Sequence, residues 1–211
     1  MNIPFNKSVF VGRELSYVQD VIERGHTSGD GFYTRICNNL FENEIGVKKS
    51  LLTTSCTHAL EMVALLLNIK PGDEVILPSF TFVSTVNAFI IRGAKPIFVD
   101  IKYSTLNINE DLIENLITEN TKAIIVVHYA GVACEMDKIN EISKKYDLSV
   151  IEDNAHGLFG KYKNKLLGGF GTFSTQSFHE TKNFSCGEGG SLFINDPSYI
   201  ERAEIIREKG T

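Results

Sequence analysis

Short apolar runs alternate with helical patterns along most of this chain, and this alternation constrains the fold more than any other feature. The runs are rich in β-branched residues and lie near 50–53, 74–77, 96–100, 122–127 and 148–152. Because strands joined by crossover helices run parallel, the pattern predicts an α/β fold. We expect a three-layer α/β/α arrangement with a mainly parallel sheet.

The remaining predicted elements lie before and after this alternating region. They are two amphipathic helices, two strand-like runs and a charged final helix, at 13–24, 34–45, 170–178, 190–196 and from about Pro197. The chain has 211 residues and shows no internal repeat, low-complexity tract or linker. We therefore expect one domain over residues 1–211.

The composition argues against several classes of protein. With 21 basic and 26 acidic residues and no basic stripe, nucleic-acid binding has no support. The apolar runs are too short to span a membrane, and the start MNIPFNKSVF does not resemble a signal peptide. Four cysteines lie far apart without a CxxC pair, which suits reduced thiols: Cys37, Cys56, Cys134 and Cys186. We expect a cytoplasmic protein that contacts neither membrane nor nucleic acid.

Lys182 is the first candidate for chemistry. It lies in SFHETKN (177–183), between an aromatic strand and the glycine cluster CGEGG (186–190). A lysine becomes a nucleophile when its ammonium is partly desolvated beside a carbonyl, and an enclosed loop offers that setting. Such a lysine can carry pyridoxal phosphate. Most loop lysines are simply solvated, so the interpretation depends on the neighbouring motifs.

Asp153 is the second candidate, at the end of the apolar run LSVIED (148–153). A carboxylate there lies at the edge of an open sheet, where ligands of α/β folds bind. It can pair with the ring nitrogen of pyridoxal phosphate and keep it protonated, so that the ring accepts electrons. A helix N-cap and a metal ligand are the alternatives. No His or Cys cluster at ligand spacing accompanies Asp153, so we predict no metal site.

The third candidate is the start of a helix in LLTTSCTHALEMVALLLN (51–68). A Ser-Cys-Thr turn brings free backbone N–H groups and hydroxyls to the helix N-terminus, where a phosphate is favoured. Ser177 offers a further hydroxyl close to Lys182. Taken alone, Ser55 and Thr57 are simply good N-cap residues, so the phosphate site rests on the combination of motifs.

These motifs occur together with others in one order along the chain: SCT before a helix, PSFTFVST, VHYAG, EDNAH, SFHETKN and GEGG. In this order they resemble the N-terminal half of the DegT-like sugar-nucleotide aminotransferases, a family with the aspartate-aminotransferase fold type. The resemblance covers essentially the whole chain. It is strongest to the branch that aminates dTDP-4-keto-6-deoxyglucose to dTDP-4-amino-4,6-dideoxygalactose.

The resemblance implies a role for each candidate residue. Lys182 would bind pyridoxal 5'-phosphate covalently and Asp153 would partner its ring nitrogen. Cys56 and Thr57 would contact the phosphate, largely through backbone amides, and Ser177 would add its hydroxyl.

Two further residues gain roles from the resemblance. Phe82 occupies the position of an aromatic residue that stacks on the cofactor ring, although the sequence alone also fits a core phenylalanine. His156 matches the position beside the ring hydroxyl, although most lone histidines are structural. Asn154 stands where a small apolar residue is expected.

The resemblance also implies a reaction. L-glutamate would leave its nitrogen on the cofactor, which then passes it to a sugar ketone in a ping-pong cycle. Lys182 would act as the base for the 1,3-proton shift that this transfer requires. One branch of the family replaces this lysine with histidine and becomes a dehydratase. Because Lys182 is present, with His179 three residues earlier, the transaminase is favoured.

Two functions of different classes remain open. Family members continue beyond the lysine and complete the large domain, add a small C-terminal domain and form homodimers. We therefore expect this chain to be a truncated large pyridoxal phosphate-binding domain of an aminotransferase, with the small domain absent. The alternative is a non-catalytic remnant that binds the cofactor weakly or acts as an interaction module. A nicotinamide enzyme is disfavoured, since no GxGxxG follows a strand.

Overall fold

The computed structural model describes residues 2–4, 6–7 and 9–210. Both ends of the predicted domain, residues 1 and 211, lie outside the described residues. The helices are α1 (Glu14–Glu23), α2 (Phe32–Ile45), α3 (Cys56–Leu66), α4 (Val83–Ile90), α5 (Met136–Tyr146) and α6 (Ile200–Arg207). The strands are β1 (Lys49–Thr53), β2 (Glu74–Pro78), β3 (Lys95–Val99), β4 (Thr121–Val127), β5 (Ser149–Asp153), β6 (Lys161–Tyr162), β7 (Lys165–Leu166), β8 (Phe173–Ser177) and β9 (Gly190–Ile194).

Seven strands form one sheet in the order β1-β9-β8-β5-β4-β2-β3. The neighbouring strands β8, β5, β4, β2 and β3 pair in parallel. Strand β9 runs antiparallel to both of its neighbours, β1 and β8. The mainly parallel sheet predicted from the alternation is therefore confirmed. The remaining two strands, β6 and β7, form a separate hairpin that the sequence did not predict.

Helices cover both faces of the sheet, and the side chains of the strands alternate between them. Val75 and Leu77 belong to the apolar cluster that contains residues of α3, α4 and α6. Ile76, between them, packs in the cluster that contains residues of α5. Phe193 of β9 packs against α2 on the same face as α5. The predicted three-layer α/β/α arrangement is confirmed, because helices pack on both faces of the sheet.

Two predicted elements differ from the structure. The strand expected over 170–178 forms only over Phe173–Ser177. The N–H groups of Phe170 and Gly171 donate instead to a buried carboxylate, that of Glu152. The connection between β3 and β4 contains two short 3-10 turns where a helical pattern was expected.

Glu152 organises the loop before β8 from inside the protein. Its side chain is fully buried and accepts hydrogen bonds from His128 Nε2 at 3.0 Å and from the N–H groups of Gly168, Phe170 and Gly171 at 2.8, 2.8 and 2.7 Å. Burial by itself raises the pKa of Glu152, but the hydrogen bonds from His128 and the backbone bring the pKa below its usual value. The carboxylate thus fixes β4, β5 and the loop before β8 to one another.

We expect the Glu152→Gln variant to lose about 3 kcal/mol of unfolding free energy, since an amide cannot accept all the hydrogen bonds that converge on this buried site. Urea unfolding at pH 7 measures the change. The same substitution at the exposed Glu119 is the control and should change stability by less than about 0.5 kcal/mol.

The pH dependence of stability tests the same assignment. Because the pKa of Glu152 is lower in the folded protein than the ordinary value of 4.5, the ionised carboxylate stabilises the fold above that pH. This contribution is lost as the pH falls, so the difference between Glu152→Gln and wild type should shrink in acid. Equal stability of the two proteins at pH 7 would contradict the assignment.

Candidate active site

The structure brings all seven predicted site residues to one cavity of about 530 Å³. It lies at the carboxyl ends of β4, β5 and β8, beside the N-termini of α3 and α4. The predicted residues that line it are Cys56, Thr57, Phe82, Asp153, His156, Ser177 and Lys182. Ligands of open α/β sheets bind at this edge.

The first turn of α3 forms one wall of the cavity. Ser55 is the N-cap, and its hydroxyl accepts the N–H of His58 at 3.1 Å. The N–H groups of Cys56 and Thr57 have no intrahelical acceptor, as in any helix, so this wall favours an anion. Gly190 passes so close that a Cβ there would lie 2.3 Å from the carbonyl carbon of Ser55. This close approach explains the last glycine of CGEGG.

Asp153 ends β5 and is almost completely buried. Its Oδ2 accepts the hydroxyl of Thr85 at 2.6 Å, and its Oδ1 accepts the N–H of Ala155 at 3.2 Å. The residues that follow form turns, so Asp153 is not a helix N-cap. Burial and the charge of Asp153 raise the pKa of the Cys56 thiol, so Cys56 is protonated at neutral pH.

Among the described residues, no group of three or more His, Cys, Asp or Glu side chains is arranged to hold a metal ion.

Phe82 is the N-cap residue of α4 and has an extended backbone. The residue is 73% exposed and lines the cavity. The alternative of an ordinary core phenylalanine is therefore wrong. An aromatic ring exposed at a cavity wall can cover the face of a bound planar ring.

His156 lies in the turn after β5. Its Nδ1 accepts the N–H of Ala130 at 3.2 Å, which leaves the ring proton on Nε2. Burial and the charge of Lys182 lower the pKa of His156, so the imidazole is neutral at pH 7. Tyr129 packs edge-on against His156 with ring centroids 5.6 Å apart, and Phe80 packs against Tyr129 at 4.9 Å. These rings form an aromatic wall of the cavity.

Lys182 follows β8 and is partly buried. Its backbone N–H donates to the carbonyl of His179 at 2.9 Å, which closes a turn that holds the lysine over the end of the sheet. A second cavity of about 340 Å³ is also lined by Lys182, His156 and Ser177. Lys182 therefore borders two adjoining cavities, so one side chain can serve groups bound in either.

Sequence reasoning missed three residues of the site. Thr85 supports Asp153, Tyr129 contacts His156, and Glu188 of CGEGG lies at the cavity with its carboxylate 3.5 Å from His179 Nε2. The sequence held one signal for Thr85, because it stands in the same motif, PSFTFVST, as Phe82.

Comparison with known proteins identifies the family. The profile of the DegT/DnrJ/EryC1/StrS aminotransferase family matches residues 10–211. The chain belongs to this family. The match confirms the resemblance inferred from the order of the motifs.

The chain is also similar to individual proteins. An uncharacterized protein of Methanocaldococcus jannaschii is 48% identical over 171 residues, which cover 81% of this chain and 44% of that protein. A Streptococcus pneumoniae protein, assigned as a sugar aminotransferase and solved in its PLP form, is 32% identical with a TM-score of 0.88. The match covers 99% of this chain and 57% of that one.

A third relative catalyses a different reaction. It is a GDP-4-keto-6-deoxymannose-3-dehydratase with a trapped PLP-glutamate geminal diamine, 28% identical with a TM-score of 0.92. The match covers 99% of this chain and 55% of that one. The chain thus spans about half the length of the relatives it matches. The solved neighbours confirm the aspartate-aminotransferase fold type.

None of the helices in the described part of the chain is both long enough and apolar enough to cross a membrane.

Proposed function

We propose that this chain carries the cofactor site of a sugar-nucleotide aminotransferase that moves an amino group from L-glutamate to a 4-keto-6-deoxy sugar nucleotide. One observation carries the proposal. A lysine, a buried carboxylate and a helix N-terminus, those of Lys182, Asp153 and α3, converge on one cavity. Each suits a different part of one ligand that has an aldehyde, a basic ring nitrogen and a phosphate.

The solved neighbours confirm pyridoxal 5'-phosphate as the cofactor, since both the Streptococcus pneumoniae protein and the dehydratase were solved with it. The residues of this chain fit that group. The amides of Cys56 and Thr57 and the hydroxyl of Ser177 are suited to the phosphate. Asp153 is suited to the ring nitrogen.

The two remaining wall residues suit the ring itself. Phe82 presents an exposed aromatic face. His156 keeps its Nε2 proton free of the contact with Ala130, so it can donate to the ring hydroxyl oxygen. When bound, pyridoxal phosphate supplies an electron sink for the electron pair that remains when a proton leaves the substrate carbon.

Lys182 has two tasks in this proposal. Its Nζ would form the covalent link that holds the cofactor by condensing with the aldehyde, with loss of water. After release, the same atom would take the proton from the substrate carbon and deliver it to the other end of the 1,3-proton shift that transamination requires. The fold does not distinguish a transaminase from a dehydratase, since the dehydratase is as similar in structure as the aminotransferase. The presence of Lys182 favours the transaminase.

We expect this chain, within a protein of the full length of its relatives and given L-glutamate and dTDP-4-keto-6-deoxyglucose, to form an amino sugar nucleotide and 2-oxoglutarate. Two half-reactions that share one cofactor give parallel double-reciprocal lines, because the first product leaves before the second substrate binds. Mass spectrometry of the sugar nucleotide and a coupled assay of 2-oxoglutarate measure both products.

A UDP-linked 4-keto-6-deoxy sugar is the matched control substrate. Amination of the UDP sugar and not of the dTDP sugar would leave the aminotransferase in place and refute this branch of the family. Absence of turnover together with absence of cofactor fixed to Lys182 by borohydride would favour the alternative, a non-catalytic interaction module.

The cellular setting and assembly are part of the same proposal. We assign residues 1–211 to the large cofactor-binding domain and expect the protein to act as a homodimer. The apolar side chains of Leu15, Val18 and Ile22 support association, because α1 leaves them exposed. A cytoplasmic location is supported by the four cysteines, all of which are free thiols.

A further inference from the structure

The carboxylate of Asp153 is held by two donors from different parts of the chain. Thr85 Oγ1 donates to Oδ2 at 2.6 Å, and the N–H of Ala155 donates to Oδ1 at 3.2 Å. Thr85 is completely buried and Asp153 is 5% exposed. The short O–H···O contact is typical of a hydrogen bond to an ionised acceptor.

A second hydroxyl, that of Thr81, contacts the Thr85 hydroxyl. The hydroxyls of Thr81 and Thr85 lie 2.8 Å apart. A hydroxyl has a single proton, and Thr85 gives its proton to Asp153, so Thr81 has to be the donor in this contact. The hydrogen bonds therefore run in one direction, from Thr81 through Thr85 to Asp153. Bonds arranged in such a series polarise and strengthen one another.

The start of α4 holds both threonines in position. Thr81 precedes the N-cap Phe82, and Thr85 lies in the first turn of α4, where its N–H donates to the carbonyl of Phe82 at 3.1 Å. The same turn thus carries both the Phe82 ring, which lines the cavity, and the Thr85 hydroxyl, which donates to Asp153.

We propose that Thr85, supported by Thr81, is a positioning residue that fixes the orientation of the Asp153 carboxylate toward the ring nitrogen of the cofactor. This inference rests on the proposed function. The terminal torsion of an aspartate is broad, so a carboxylate without fixed donors samples many orientations. With both oxygens bound to fixed donors, Asp153 presents one orientation to the cofactor.

The test compares four variants with wild type. Thr85→Val keeps the shape and removes the hydroxyl, Thr85→Ser keeps the hydroxyl, and Thr81→Val removes only the outer donor. Thr121→Val is the matched control, since Thr121 is a buried threonine at the start of β4, where its hydroxyl accepts the N–H of Thr118.

Two readouts report on Asp153 without turnover. One is the dissociation constant of pyridoxal phosphate, and the other is the pH titration of the absorbance of the bound cofactor. We expect Thr85→Val to weaken binding about tenfold and to shift the titration, as loss of a hydrogen bond to a charged group predicts. Thr85→Ser should restore both to within about twofold, and Thr81→Val should weaken binding about threefold. Thr121→Val should lower only the unfolding midpoint.

Wild-type affinity and a wild-type titration in Thr85→Val would overturn the positioning role while leaving the cofactor site intact. If Thr85→Val does not fold, Thr81→Val provides the test. A wild-type dissociation constant and a wild-type absorbance titration in Thr81→Val would then overturn the positioning role. A wild-type protein that takes up no cofactor at Lys182 would instead overturn the proposed function, and the positioning role with it.

Discussion

The Lys182→Ala variant is expected to lose the covalent attachment of pyridoxal phosphate and to transaminate at least about a thousandfold more slowly than wild type. Both effects have one cause, because the same amine binds the cofactor and moves the proton. Borohydride reduction followed by peptide mass spectrometry measures the attachment, and single-turnover absorbance with L-glutamate measures the rate. The fold should be unaffected, since the lysine is only partly buried.

Lys182→Arg separates covalent from electrostatic effects, because arginine keeps the positive charge and cannot form the link. We expect it to behave like the alanine variant. Lys48→Ala, at an exposed lysine, should keep wild-type attachment. Turnover in Lys182→Ala within tenfold of wild type would show that another residue carries the chemistry.

The Asp153→Asn variant is expected to bind the cofactor and to abstract the substrate proton about a thousandfold more slowly, a change of about 4 kcal/mol in the barrier. Asparagine has nearly the shape of aspartate but lacks the charge that holds the ring nitrogen protonated. The effect is large because the site is shielded from water. The amide also has one oxygen for two donors, Thr85 and Ala155.

Stopped-flow absorbance of the half-reaction with L-glutamate measures this rate. Asp137→Asn, at an exposed aspartate of α5, is the control. A half-reaction rate in Asp153→Asn equal to that of wild type would refute the role of Asp153.

The positions of the strands along the chain and the positions of the site motifs could be predicted from the sequence because both are local. Apolar runs marked the strands of the sheet to within one or two residues, except the run 170–178. There the apolar pattern begins before the strand does, because the N–H groups of Phe170 and Gly171 donate to Glu152 and not to a neighbouring strand. Periodicity shows which residues suit a strand, and it does not show where a distant side chain ends one.

Part of the candidate site could also be predicted from the sequence, and part could be seen only in the structure. Lys182, Asp153 and the Ser-Cys-Thr turn stand in short motifs whose chemistry can be inferred from residue type and from the element that each ends or begins. The resemblance implied that Phe82 stacks on the cofactor ring, while the sequence alone also fitted a core phenylalanine. Only the structure shows that its ring is exposed in the cavity and not buried in the core.

Tertiary structure alone decided which groups support that chemistry. Thr85 meets Asp153 across 68 residues of chain, His128 meets Glu152 across 24, and Ala130 fixes the proton of His156 across 26. Each contact depends on strand order and register, which bring separate loops to one edge of the sheet. The sequence by itself thus determined the family, the fold class and the reactive groups. The structure decided their orientation, because hydrogen bonds between distant residues leave no periodic trace in a single chain.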